Sequence, residues 1–256
     1  MPAPSSKVAL ITGGARRVGA VIARDLARHD WAVAVHYRSS AAEAEGVVAD
    51  IRAGGGQATA IAADLMSEAE TVALVGRVCD ALGPVTCLVN NASLFERDEA
   101  LTATRESWDR HMLVNLRAPF LLTQTVARQM PEEASGCVIN LLDQRVWNLT
   151  PHFTSYTVSK AGLWTLTQTL AMALAPRGRV NAVGPGPTLP SRRQSAEQFE
   201  RQWSNVPLAR PVSLEEISAA VRFLLDAPSV TGQMIAVDAG QHLGWNRSLS
   251  GRWADE

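Results

Sequence analysis

The chain has 256 residues, of which 46% are hydrophobic and 19% are charged, and its formal net charge is −1 at pH 7. A net charge this close to zero provides no broad basic field for nucleic acid or for an anionic lipid surface. No apolar run reaches the roughly 18–20 residues that a membrane-spanning helix requires, so we expect no membrane partner.

Short apolar runs alternate along the chain with longer amphipathic segments. The short runs predict seven strands, at Val8–Thr12, Ala32–Tyr37, Ala58–Ala63, Cys87–Asn90, Cys137–Leu142, Val180–Val183 and Met234–Val237. The longer segments predict helices at Val18–His29, Ala41–Ala53, Glu68–Leu82, Arg105–Gln129, Phe153–Ala175, Glu197–Trp203 and Leu214–Asp226. Strands rich in Val, Ile, Ala and Leu are typical of a parallel sheet that is covered on both faces. The alternation predicts an α/β fold: one Rossmann-like domain over 1–256, with a doubly wound parallel sheet of about seven strands flanked by helices.

The segment ends carry further local signals. Ser67 with Glu70 and Ser213 with Glu216 have the spacing of capping boxes at helix N-termini. Residues 184–195 are rich in Pro, Ser and Arg, which predicts a loop, with a lid as one role. We expect the domain core to span residues 7–243 and a polar tail to follow over 244–256.

The N-terminus and the cysteines indicate the compartment. Residues 1–6 show no charged region followed by an apolar one, so we expect no signal peptide and a cytoplasmic protein. The three cysteines form no C-x-x-C pair, and the five histidines lie far apart. We therefore expect reduced thiols and no metal site.

A glycine-rich turn joins the first strand to the first helix. It reads Thr12-Gly13-Gly14-Ala15-Arg16-Arg17-Val18-Gly19. A helix N-terminus presents unpaired N–H groups and positive charge to a pyrophosphate, and glycines let the backbone approach it. The turn predicts a dinucleotide site that includes Gly13, Arg16, Arg17 and Gly19. A purely structural strand–helix turn is the alternative.

The end of the second strand indicates which dinucleotide is used. NAD sites normally carry Asp or Glu there to bind the ribose hydroxyl, whereas this chain has His36-Tyr37-Arg38-Ser39. No carboxylate repels a 2′-phosphate, and Arg38, Ser39 and Arg16 are able to bind one. The pattern favours NADPH over NADH.

Tyr156 and Lys160 form the strongest chemical motif of the chain. Residues four apart share one helix face, so the lysine is placed beside the phenol. A positive charge lowers the phenol's pKa from about 10 toward the working pH, which suits a general acid. A surface helix pair is the alternative reading.

These motifs resemble the short-chain dehydrogenase/reductase family over residues 7–243. The family carries Thr-Gly-x-x-x-Gly-x-Gly at the first turn, and here Arg17 replaces the middle glycine. Asp143 stands thirteen residues before Tyr156, where the family has Ser. The fourth strand ends Asn90-Asn91-Ala92-Ser93-Leu94-Phe95 in place of the usual Asn-Asn-Ala-Gly. Arg17, Phe95 and Asp143 all resemble the pteridine reductase branch.

The resemblance implies residue roles. Tyr156, Lys160, Asp143 and Asn115 would be catalytic, with Asn115 organising a water-linked proton path through the lysine. The substrate would contact Arg17, Ser93, Phe95, Asp143 and Tyr156, with Phe95 stacked on a pterin ring. Beyond the glycine turn, the cofactor would contact His36, Tyr37, Arg38, Ser39, Asp64, Asn91, Ala92, Ser93, Tyr156, Lys160, Pro185, Gly186 and Thr188. Asp64 equally suits a turn cap.

The resemblance also implies a reaction and an assembly. We expect an NADPH-dependent reductase of dihydropterins, with dihydrofolate as a further substrate, that forms a homotetramer. A carbonyl reductase of the same family is the first alternative, although Asp143 suits a carbonyl less well than a neutral donor does. A non-catalytic NADP(H)-binding sensor is the second alternative, and the intact Tyr156–Lys160 pair argues against it.

Overall fold

The computed structural model describes residues 7–191 and 193–244. Within these ranges the strands form one parallel sheet in the order β3-β2-β1-β4-β5-β6-β7. The strands are β1 (Val8–Ile11), β2 (Ala32–Tyr37), β3 (Ala58–Ala62), β4 (Cys87–Asn90), β5 (Gly136–Leu141), β6 (Gly178–Pro185) and β7 (Met234–Val237). The predicted Rossmann-like, doubly wound fold is confirmed.

Helices cover both faces of this sheet. They are α1 (Arg17–Ala27), α2 (Ala41–Ala53), α3 (Glu68–Leu82), α4 (Arg105–Met112), α5 (Ala118–Gln129), α6 (Thr154–Leu174), α7 (Ala196–Ser204) and α8 (Leu214–Asp226). The first core cluster packs α1, α2 and α8 on one face, and the second packs α3, α5 and the end of α6 on the other. No helix in the described part of the chain is long and apolar enough to cross a membrane.

The core explains why the apolar runs become strands. All four residues of β1 are buried, because helices approach it from both sides. Leu26 of α1 and Leu122 of α5 are fully buried on opposite faces. Burial of one such leucine side chain contributes about 1.5–3 kcal/mol to stability. A doubly wound sheet places its ligand sites at the carboxyl ends of the strands, where the helices begin.

The single helix predicted over 105–129 is wrong in one respect. A π-helical segment, Leu113–Arg117, separates α4 from α5. Pro119 lies in the first turn of α5 and has no N–H to donate to the carbonyl four residues earlier. The wider π turn accommodates this missing hydrogen bond, and it contains Asn115.

Both predicted N-cap serines accept a hydrogen bond from the helix backbone, but only the cap of α8 forms a complete capping box. At α8 the Ser213 hydroxyl accepts from the Glu216 backbone N–H, and the Glu216 carboxylate accepts from the Ser213 N–H, which confirms a capping box. At α3 the Ser67 hydroxyl accepts from the Glu70 N–H. The Glu70 carboxylate instead accepts from the backbone N–H of Asp64 at 2.9 Å, so the second box is incomplete.

The segment predicted as a loop over 184–195 is largely irregular. β6 runs as far as Pro185, and α7 begins at Ala196, directly after the capping residue Ser195. The predicted tail lies outside the described residues from position 245 onward.

Buried polar side chains cross the middle of the sheet. Asn90 of β4 and Asn140 of β5 are register partners, and the Asn90 amide donates to Oδ1 of Asn140 at 2.9 Å. The Asn140 amide in turn donates to the Thr167 hydroxyl of α6 at 2.9 Å. All three residues are almost completely buried. This asparagine ladder ties two strands and α6 together.

Candidate active site

The glycine turn is fastened to the end of β4. The Thr12 hydroxyl accepts hydrogen bonds from the backbone N–H groups of Asn91 and Ala92 at 2.9 and 3.0 Å. The Asn91 amide donates to the Thr12 and Gly13 carbonyls at 2.8 and 3.1 Å. A Cβ on Gly19 would lie 2.3 Å from the Gly13 carbonyl oxygen, so this approach of helix to turn requires glycine. Asn91 and Ala92 thus brace the turn.

The N-terminus of α1 is open to an anion. In α1, all of whose residues are described, Arg16 at the N-cap makes no side-chain capping bond and the first turn contains no acidic residue. The orphan N–H groups of such a terminus need acceptors, and the helix dipole favours a negative one. The chemistry of these donors fits a dinucleotide pyrophosphate.

The His36 ring lies against the glycine turn. Its Nδ1 accepts from the Gly13 N–H at 3.1 Å, and its Nε2–H donates to the Ala63 carbonyl at 3.0 Å. Burial lowers the pKa of His36 to about 4, so the ring is neutral. With both ring nitrogens engaged, the His36 side chain supports the turn.

The expected 2′-phosphate site after β2 is polar, and one of its basic side chains, Arg16, is already paired with a carboxylate. Arg38 and Ser39 are exposed just past the carboxyl end of β2. Arg16 reaches the same side but forms an ion pair with Glu43 of α2. Hydrogen bonding with its own backbone and with Arg16 lowers the pKa of Glu43, so this carboxylate stays charged near the expected 2′-phosphate site.

Two further expected cofactor residues have local partners. Asp64 Oδ1 accepts from the Met66 N–H at 2.9 Å, which makes it a turn cap. Thr188 donates to the Gly186 carbonyl at 2.9 Å. A Cβ on Gly186 would lie 2.6 Å from Cα of Asp238, so this glycine allows the chain after β6 to pack closely there.

Tyr156, Asp143 and Lys160 meet at the carboxyl end of β5. The Tyr156 hydroxyl donates to Asp143 Oδ2 at 2.9 Å, while Asp143 Oδ1 accepts from the Arg145 N–H at 2.8 Å. The Lys160 ammonium donates to the Leu141 carbonyl at 2.7 Å and lies 5.8 Å from the Tyr156 ring centroid. Burial lowers the pKa of Lys160 to about 8, and the Asp143 charge opposes this shift.

The Asn115 side chain joins the segment after β4 to α6. Its Oδ1 accepts from the Leu94 N–H at 2.8 Å and from the Ser93 hydroxyl at 3.2 Å. Its Nδ2 donates to the Leu94 carbonyl at 2.9 Å and to the Ser159 hydroxyl at 3.1 Å. These bonds use the two donors and two acceptor positions of the amide. Asn115 therefore holds the segment after β4 against α6.

Phe95 belongs to an aromatic cluster at the cavity. Its ring stacks on Phe153 with centroids 4.4 Å apart and meets the Tyr156 ring edge-on at 4.7 Å. Phe153 is fully buried and adopts a left-handed backbone with φ 58° immediately before α6. Its packing role was not apparent from the sequence, because a positive φ at a phenylalanine has no local signal.

A buried network behind Tyr156 was also not predicted. The Ser155 backbone N–H and hydroxyl both donate to the Asp98 carboxylate, the first at 3.0 Å. His111 Nδ1 lies 2.7 Å from the Ser155 hydroxyl, and its Nε2 accepts from the Glu96 N–H at 3.1 Å. Burial lowers the pKa of His111, in keeping with a neutral ring. The network pins residues 96–98 to α4 and to the first turn of α6.

Arg17 connects the glycine turn to the loop after β6. It adopts φ 52° at the position where the family has glycine. Its guanidinium donates to the Pro190 and Leu189 carbonyls at 3.2 and 3.4 Å. From the other side of the loop, Arg193 donates to the Phe95 carbonyl at 2.9 Å. The loop is thereby tied across the site at two points.

A cavity of about 220 Å³ opens between these elements. Asp143, Phe95, Arg17 and the Pro185–Gly186 segment are among the residues that line it. Arg17 of the glycine turn, Asp143 and Phe95 therefore border the same cavity.

The fold and this site define the class of protein. The chain belongs to the short-chain dehydrogenase/reductase family and is an NADP-dependent oxidoreductase. The model of a family described as enoyl-(acyl carrier protein) reductase matches residues 13–242.

Individual relatives are similar over nearly the whole chain. A structure of FolM alternative dihydrofolate reductase 1 from Brucella suis, in complex with NADP, is 49% identical, with TM-score 0.90 over 93% of this chain and 95% of that one. A blue fluorescent protein from a metagenomic library, in complex with NADPH, is 33% identical, with TM-score 0.85 over 91% and 97% of the two chains. A 3-oxoacyl-[acyl-carrier-protein] reductase of Synechocystis sp. is 35% identical over 94% of this chain and 98% of its own.

Proposed function

We propose that the protein is an NADPH-dependent reductase of pterin-type substrates, dihydropterins and dihydrofolate among them. The observation that carries this proposal is the hydrogen bond between the Tyr156 hydroxyl and the Asp143 carboxylate. Asp143 stands where the family normally places a neutral serine.

The charge of Asp143 decides between two kinds of acceptor. Reduction of a ketone develops negative charge on a carbonyl oxygen, which a carboxylate at hydrogen-bonding distance would repel. Reduction of a ring C=N bond instead delivers a proton to nitrogen. The resulting N–H is a donor that an adjacent carboxylate stabilises. The site therefore suits a ring nitrogen better than a carbonyl.

The aromatic cluster supports the same substrate class. Phe153 covers one face of Phe95, and Phe95 still lines the cavity. A flat heterocycle bound in the cavity can contact the part of the Phe95 ring that lines it, because aromatic rings pack favourably against flat heterocycles. The 49% identity to a protein named as an alternative dihydrofolate reductase adds support.

The residues divide the chemistry as follows. NADPH bound at the glycine turn would supply a hydride to a ring carbon and would thereby be oxidised to NADP⁺. Tyr156 gives its proton to the adjacent ring nitrogen, which converts C=N to CH–NH. The buried Lys160 ammonium stabilises the developing tyrosinate. Asp143 accepts hydrogen bonds from Tyr156 and then from the new N–H, and the tyrosinate regains its proton from solvent.

A second candidate is reduction of 3-oxoacyl thioesters. The 35% identity to 3-oxoacyl-[acyl-carrier-protein] reductases favours it. Asp143 argues against it, because a carboxylate beside the reacting carbonyl opposes the negative charge that develops on its oxygen.

The test is a substrate panel with two enzymes. NADPH oxidation is followed with 7,8-dihydrobiopterin, dihydrofolate, simple ketones and an acetoacetyl thioester, for wild type and Tyr156→Phe. Turnover of the pterins, lost in the variant, supports the proposal. Turnover of ketones or thioesters alone would overturn it. Inactivity with all of them despite tight NADPH binding would favour a sensor.

We also propose a cytoplasmic homotetramer, as the family resemblance implies. Met172 and Val158 of α6 are 74% and 42% exposed, which leaves apolar surface on this helix for a neighbouring subunit. Size-exclusion chromatography with light scattering tests the assembly, and a monomeric mass would contradict it.

A further inference from the structure

Gln144 is a buried polar residue at the cavity for which the reaction above has no use. It follows Asp143 at the carboxyl end of β5 and begins the short 3₁₀ turn Gln144–Val146. Its exposure is 5%, and Gln144 is one of the residues that line the same cavity as Asp143 and Phe95.

The side-chain oxygen of Gln144 is unsatisfied. Oε1 is buried and has no hydrogen-bond partner in the structure. The main chain around it is fixed, since the Gln144 carbonyl accepts from the Trp147 N–H at 2.9 Å and from the Asn148 N–H at 3.3 Å. A buried amide oxygen without a donor is destabilising, and folded proteins retain few of them. At a cavity wall, a bound ligand can supply the missing donor.

We propose that Gln144 is a specificity-determining residue whose Oε1 accepts a hydrogen bond from an N–H or O–H group of the substrate. The inference rests on the proposed function and extends it to a residue with no assigned role. A dihydropterin offers two kinds of donor, the N–H groups on its fused rings and the hydroxyls of its side chain. A site that pairs a buried acceptor with a substrate donor discriminates strongly against analogues that lack the donor.

Two substitutions separate the acceptor from the shape of the side chain. Gln144→Met keeps length and apolar volume but removes the acceptor oxygen, whereas Gln144→Glu retains an oxygen at the same position. We measure kcat and KM with 7,8-dihydrobiopterin and with 6-methyl-7,8-dihydropterin, which has no side-chain hydroxyl. Binding of NADPH and of each pterin to the NADP⁺ complex is measured by fluorescence and calorimetry.

We expect Gln144→Met to lower kcat/KM by about 10- to 100-fold, chiefly through KM, with Gln144→Glu closer to wild type. A loss with both pterins assigns the donor to the ring, and a loss with dihydrobiopterin alone assigns it to the side chain. Unchanged kcat/KM with both pterins would overturn the inference. So would weaker NADPH binding by the same factor, since Gln144 would then serve the cofactor.

The binding measurements separate this inference from the proposed function. A wild type that reduces pterins while Gln144→Met does so equally well contradicts the inference alone. A wild type that reduces no pterin, yet binds it more tightly than Gln144→Met does, contradicts the proposed reaction alone. Absence of pterin binding by the wild type contradicts both.

Discussion

The Tyr156 hydroxyl and the Asp143 carboxylate are joined by a 2.9 Å hydrogen bond between the first turn of α6 and the end of β5. Asp143→Ser would restore the neutral donor that the family uses at this position. We expect this variant to lower kcat for dihydropterins by about 10²-fold or more, because the carboxylate partner of the ring nitrogen is lost. Steady-state kinetics with the pterins and a ketone provide the measurement.

Ketone reduction should rise in Asp143→Ser, or appear for the first time. Tyr156→Phe serves as the control, because it removes the proton donor for either substrate. Undiminished pterin turnover in Asp143→Ser would show that the carboxylate takes no part in substrate choice.

Arg17 has a strained backbone conformation, while its side chain holds the loop after β6. Its φ of 52° is costly for any residue except glycine, by roughly 1 kcal/mol. Arg17→Gly should therefore be more stable than Arg17→Ala by about 1 kcal/mol in urea denaturation. Both variants lose the bonds to the Leu189 and Pro190 carbonyls. Both should raise the substrate KM by about 10-fold. Equal stability of the two variants would refute the strain argument.

Lys160 makes stability depend on pH at the alkaline end. Burial lowers its pKa from 10.5 to about 8, so the folded protein disfavours the ammonium. The penalty is fully present below pH 8 and is relieved as pH rises toward 10.5, where the unfolded chain also loses the proton. The free energy of unfolding should rise across this window by an amount on the order of 3 kcal/mol.

The matched control is Lys160→Met, which has no proton to lose. The difference between wild type and variant, measured by urea denaturation from pH 7 to pH 10.5, cancels the contribution of other titrating groups. A constant difference over the whole range would mean that the pKa of Lys160 is near its ordinary value.

Cofactor preference should respond to the charges past β2. Arg38→Asp places a carboxylate where a 2′-phosphate would bind, so we expect the KM for NADPH to rise by about 10- to 100-fold and NADH to be used comparatively better. Glu43→Gln releases Arg16 from its ion pair and should tighten NADPH binding a few-fold without changing NADH binding. If each substitution changed the binding of NADPH and NADH by the same factor, Arg38 and Arg16 would not contact the 2′-phosphate.

The buried network behind Tyr156 should support both stability and substrate binding. Ser155→Ala leaves the Asp98 carboxylate and the His111 ring without their shared partner, which should cost about 1–3 kcal/mol in unfolding free energy. KM should rise more than kcat falls, because residues 96–98 lose their anchor while Tyr156 keeps its own bond to Asp143. Ser107→Ala, which removes a more exposed bond to Asp98, should do less.

The sheet and the Tyr156–Lys160 pair were predictable because their signals are local, whereas Asp143 was expected from the family resemblance alone. Apolar runs report burial on both faces, and four-residue spacing on a helix brings side chains together. The left-handed backbone of Phe153 has no such signal. Ser155 and Asp98 are 57 residues apart and meet only through tertiary packing. The π segment follows from Pro119, but its position depends on how α4 and α5 pack.

The asparagine ladder has a consequence for catalytic geometry. Thr167, the last member of the ladder, lies eleven residues after Tyr156 on the same helix, which is close to three full turns. The hydrogen bond from Asn140 of β5 to Thr167 therefore fixes both the position of α6 along its axis and its rotation relative to the sheet. A slip of one residue would turn the phenol by about 100° around the helix axis, away from Asp143. The hydrogen bonds at the centre of the sheet thus fix the position of Tyr156, the proposed proton donor.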